Sequence, residues 1–128
     1  MKRQIATAAL ALSLAFGGAS AALGHGSMEP SHGGAVTMSG ETLFELVKTA
    51  KGVDVYISEE DEPLNASAYD GKLIVTTAAG TKSTFNLTPA GGNRLTVAGL
   101  KPGSGTKVVV SLVNKTSGAK AFATFRYK

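Results

Sequence analysis

VDVYIS at residues 53–58 and KVVVSL at residues 107–112 decide the fold. In the first, Val53, Val55 and Ile57 alternate with Asp54, Tyr56 and Ser58; in the second, Val108, Val110 and Leu112 alternate with Lys107, Val109 and Ser111. A period of two sends successive side chains to opposite faces of an extended strand, so each stretch has one apolar face to bury. Working outward, similar short runs occur at 43–48 (LFELVK), 72–77 (KLIVTT), 83–88 (STFNLT), 94–98 (RLTVA) and 120–127 (KAFATFRY), with AVTM at 35–38 as a further candidate. Seven or eight strands result.

The connectors have turn chemistry. Ala79-Gly80, Pro89-Ala90-Gly91-Gly92-Asn93, Pro102-Gly103-Ser104-Gly105 and Ser117-Gly118 are mostly hairpin-sized, and no internal repeat or heptad interrupts them. Short antiparallel strands at this spacing predict an all-β, two-sheet sandwich of immunoglobulin-like type, although the Trp and Cys pair of true immunoglobulin domains is absent.

Upstream of the strands lies a different kind of sequence. Met1, Lys2, Arg3 and Gln4 precede an apolar run from Ile5 to Phe16 and then small residues, the layout of a secretory signal peptide. The run is shorter than the ~20 residues that span a bilayer. Cleavage after Ala21 or after Gly24 satisfies the small-x-small rule; the second makes His25 the mature N-terminus. The expected organisation is therefore a leader at 1–24, a flexible ligand-bearing segment at 25–41 and a β domain at 42–128, exported to the periplasm with no membrane span once the leader is removed.

Residues 25–128 carry eleven basic against nine acidic side chains, so the overall formal charge of +4 is partly the leader's and argues poorly for nucleic acid. The charges are split along the chain: residues 25–62 hold eight acidic and two basic side chains, and residues 63–128 hold one acidic and nine basic. Two solvated faces are the expectation. With no cysteine, disulfides and thiolate metal sites are excluded, and stability rests on packing. The phenylalanines and tyrosines fall largely at core-like strand positions.

The segment at 25–38, HGSMEPSHGGAVTM, contains both histidines and both methionines other than the initiator. Imidazole and thioether donors without thiolates suit copper: methionine sulfur favours Cu(I), and histidine serves either oxidation state. The candidate ligands are His25, Met28, His32 and Met38. His32 precedes Gly33-Gly34, where the backbone can turn sharply. Zinc through the histidines and Glu29 is the alternative, with the methionines idle. The other concentrated feature, Glu59-Glu60-Asp61-Glu62, lacks the spaced ligands of a calcium loop and reads as a solvated hairpin tip. No nucleophile elbow, HExxH helix, P-loop or cysteine nucleophile is present, so no enzyme is expected. A copper-dependent oxidative enzyme with an N-terminal histidine brace would need His25 at position one, a second facing histidine and a substrate platform.

At HGGAVTMSGETLFELV (32–47) and TPAGGNRLTVAG (88–99) the chain resembles small bacterial periplasmic proteins found beside copper-resistance and heavy-metal efflux systems. That resemblance implies a periplasmic β domain concerned with metal handling, with His32 as the matching histidine. The functional expectation is a periplasmic copper-binding protein that buffers or hands over the ion, with copper as its cofactor and a metal efflux or other envelope protein as a partner. The alternative is a metal-free β-sandwich module that binds another envelope protein.

Overall fold

The computed structural model describes residues 28–128; the expected leader and His25 lie outside the described residues. Strands β1 (Ala35–Ser39), β2 (Thr42–Thr49) and β3 (Gly52–Glu59) follow one another as hairpins. A two-residue strand β4 (Glu62–Pro63) and a single 3-10 turn (Ala66–Ala68) lead to β5 (Tyr69–Thr76), β6 (Lys82–Pro89), β7 (Arg94–Ala98), β8 (Lys107–Asn114) and β9 (Lys120–Arg126). Every run that alternates in the sequence is a strand, AVTM included. Residues 35–39, inside the segment expected to be a flexible ligand carrier, pair with β2 in register Ala35↔Leu46 to Ser39↔Thr42.

All pairings are antiparallel, and the strand order is β1-β2-β3-β7-β6-β5-β8-β9, with β4 appended to β3. The all-β antiparallel expectation holds at this level, but the path does not divide into two sheets. Strand β6 pairs with β5 from Lys82 to Leu87 and with β7 at Thr88 and Pro89, so it serves both halves and joins them. The two ends of the path, β1 and β9, lie against each other without a ladder, and the Thr37 hydroxyl approaches the Thr124 carbonyl at 3.4 Å. The molecule is close to a closed barrel.

The inward faces are those set by the two opening stretches. Val53, Val55, Ile57, Val108, Val110 and Leu112 are all fully buried, packed with Phe44, Leu73, Leu95 and Phe125. Phe122 is an exception among aromatics that fall largely at core-like positions: alternation turns it outward on β9, where it is 54 % exposed. The acidic run forms the β3–β4 hairpin tip, with Glu60 and Asp61 both in the left-handed region (φ 50° and 68°), the geometry of a type I′ turn.

Candidate functional site

Because Phe44 and Leu46 fill the core, alternation puts Leu43, Glu45 and Val47 on the outer face of β2. Cross-strand register sets Tyr56 of β3 beside Glu45, with Val36 of β1 on its other side. A carboxylate at such a position would normally face water. Here the chain at 28–34 crosses over it, and Glu45 is only 4 % exposed.

Glu45 holds that crossing in place. Its Oε2 accepts from the backbone N–H groups of His32 (2.8 Å) and Gly34 (2.9 Å), and its Oε1 accepts from the N–H of Ser31 (3.1 Å). The His32 ring adds a fourth bond, Nδ1 to Oε1 at 3.0 Å. The loop thus makes a nest of N–H donors around a carboxylate supplied by its own sheet. The two glycines are needed for this path. Gly33 takes φ +73°, and a Cβ on Gly34 would collide with the Leu46 carbonyl. The imidazole then lies flat on Tyr56, ring centroids 3.6 Å apart and planes within 8°.

Burial pushes the Glu45 carboxyl up, but the hydrogen bonds from the His32 ring and from the Gly34 and His32 N–H groups, with the charge of His32, pull it further down. The net result lies below the ordinary carboxylate range, so Glu45 is ionised and accepts only. The partner nitrogen of His32 must then carry a proton: Nδ1 donates, and in the neutral ring Nε2 is left as the lone-pair nitrogen. Histidine metal ligands share this arrangement, one nitrogen held by a carboxylate and the other presented outward.

His32 is 41 % exposed and opens onto a cavity of about 330 Å³ lined also by Glu29, Tyr56, Ser58, Asp61 and Asn93. Asn93 is fixed there by its own bond, Nδ2 to the Ile57 carbonyl at 3.0 Å. The His-Gly-Gly, Phe-Glu-Leu-Val and Pro-Ala-Gly-Gly-Asn pieces, distant in sequence, therefore meet at one place: His32 is bound to Glu45 and shares a cavity with Asn93.

Of the four candidate ligands, His25 lies outside the described residues. Met28 is exposed (48 %) where the described chain begins, and Met38 is half-buried on the outer face of β1 opposite Leu43, on the same side of the sheet as Glu45. What the fold brings directly to His32 is Glu45 and Tyr56, neither of which the residue clustering singled out. The available signal was a lone carboxylate in the apolar run LFELV. Among the described residues no three His, Asp or Glu side chains are grouped to hold a metal ion; Glu45 itself is committed to four N–H partners.

No protein-family description, curated protein or solved structure matches this chain. No helix among the described residues is long and apolar enough to cross a membrane.

Proposed function

We propose that the protein is a periplasmic copper-binding protein that buffers or hands over the ion, with His32 as the anchoring ligand and His25, Met28 and Met38 as the donors from which the set is completed. The observation that carries this reading is the held imidazole: Glu45 engages Nδ1 and Tyr56 holds the ring plane, which leaves Nε2 as the lone-pair nitrogen of a ring that lines the cavity. Glu45 is then an orienting group and not a ligand. Copper is favoured over zinc because the donors concentrated near His32 include two thioethers, which are soft and select Cu(I).

Crossing substitution with oxidation state tests the assignment. In competition titrations with chelators specific for each state, His32→Ala weakens both Cu(I) and Cu(II). Met28→Leu and Met38→Leu weaken Cu(I) selectively. Glu45→Gln presents an amide that can donate to Nδ1, which moves the ring proton to Nε2; affinity falls by about 10- to 100-fold although no ligand is removed. Unchanged affinity in both states after replacement of His25, Met28, His32 and Met38 together would refute the copper reading.

A further inference from the structure

The opposite outer face of the barrel, across β6-β5-β8-β9, has a composition of its own. Val108, Val110 and Leu112 point inward, so Lys107, Val109, Ser111 and Val113 point outward, and register carries this alternation across the neighbouring strands. One row reads Lys82–Thr76–Lys107–Arg126. Further along the same face are Lys72 and Lys120. Asp70 is the one carboxylate at these register positions, and none of the five cations has an ion-pair partner among the described residues.

This arrangement costs stability. Lys107 and Arg126 stand directly opposite each other on adjacent strands, where like charges repel. Between the charged residues the face carries a small apolar centre within a polar surround: half-buried Ile74 and Val109 pair across β5 and β8 with Thr84 and Thr124 at the ends of their row, and exposed Phe122 sits on β9 between Lys120 and Arg126. Four strands at ~4.8 Å spacing give this face a width of about 14 Å.

We propose that this face docks on the surface of an anionic phospholipid bilayer, with Phe122 entering the interfacial layer and Lys72, Lys82, Lys107, Lys120 and Arg126 facing lipid phosphates. Charge complementarity selects an anionic surface, because five unpaired cations share one outer face. The apolar centre selects a bilayer over a nucleic acid, since one exposed aromatic offers no stacking platform for successive bases, whereas an aromatic flanked by cations suits the headgroup boundary. The face shares no residue with the copper site, so either proposal can fail without the other.

The chain has no tryptophan, so Phe122→Trp gives a single fluorescent reporter on the face, whatever residues 1–24 do at a membrane. With vesicles of phosphatidylcholine and phosphatidylglycerol its emission shifts to the blue and is quenched by brominated acyl chains; with phosphatidylcholine alone both effects are lost. Val36→Trp, on the other outer face, shows neither. Combining Phe122→Trp with Lys82→Gln, Lys107→Gln and Arg126→Gln raises the lipid needed for half-maximal shift by about a hundredfold, near fivefold per cation. Circular dichroism confirms that the variant is folded. High salt acts in the same direction. The proposal is overturned if the reporter ignores anionic vesicles, if pure phosphatidylcholine serves equally well, or if the triple substitution leaves the midpoint unchanged. It is overturned equally if a soluble polyanion such as heparin shifts the emission while brominated lipid fails to quench, which would mark the face as a polyanion-binding surface.

Discussion

Glu45 is the residue on which the His32 loop depends, because four N–H donors would lose their partner without it. Its folded pKa lies below the ordinary value, so the unfolded chain takes up this proton first as pH falls. The stabilisation from Glu45 is therefore fully present above the ordinary carboxylate range and is lost as pH drops through that range toward the depressed folded value. Glu45→Gln should flatten this part of the acid limb in urea titrations across pH, and it should lower stability at neutral pH because the amide cannot accept from all four donors. An acid limb identical to that of the wild type would show that the carboxylate is not held by the loop in solution. The same charge-assisted contacts orient the imidazole, so under the proposed copper reading stability and metal affinity are linked at one side chain.

At the level of the strand, inward and outward faces differ in what they tolerate. Val110 of β8 is fully buried between Leu73 of β5 and Ala123 of β9, so Val110→Asp places an unpaired charge in the core. The cost, about 3–5 kcal/mol, is comparable to the whole stability of a small domain, and loss of the β signal in circular dichroism is expected. A native melting curve would mean that the register of β8 differs from the one described. That register was legible in the sequence because alternation on a half-buried strand is a direct record of burial, and the same reading located β1, β2, β3 and β5 to β9. Closure was not legible. Nothing local in STFNLTP says that its last two residues leave β5 for β7, since strand order is fixed by long-range pairing and not by pattern. At the site, clustering pointed to His32 but not to Glu45 or Tyr56, which join it only through the loop crossing between Ser31 and Gly34. Among aromatics expected largely at core-like positions Phe122 is an exception that alternation explains, since in KAFATFRY it falls on the outward face while Phe125 and Tyr127 fall on the inward one.

For the molecule as a whole, the junction of β1 and β9 decides whether the sheet behaves as an open path or as a barrel. These strands are the first and last of the described fold, and their approach closes nearly the entire domain into one loop, with Thr37 and Thr124 separated by 87 positions in the chain. No ladder hydrogen bonds join them among the described residues, so the seam is held by side-chain contacts such as the Thr37 hydroxyl. Thr37 lies on the inward side of β1, opposite Phe44, whereas Thr124 points outward opposite Val109, so the contact runs from the Thr37 side chain to the Thr124 backbone. Thr37→Val keeps the shape of the side chain and removes the hydroxyl. Loss of this hydrogen bond is expected to lower stability by about 0.5–1.5 kcal/mol, read as a lower urea midpoint with an unchanged slope. A midpoint equal to that of the wild type would mean that β1 and β9 part in solution, leaving the outer face of β1 with Met38 free to move relative to the rest of the barrel.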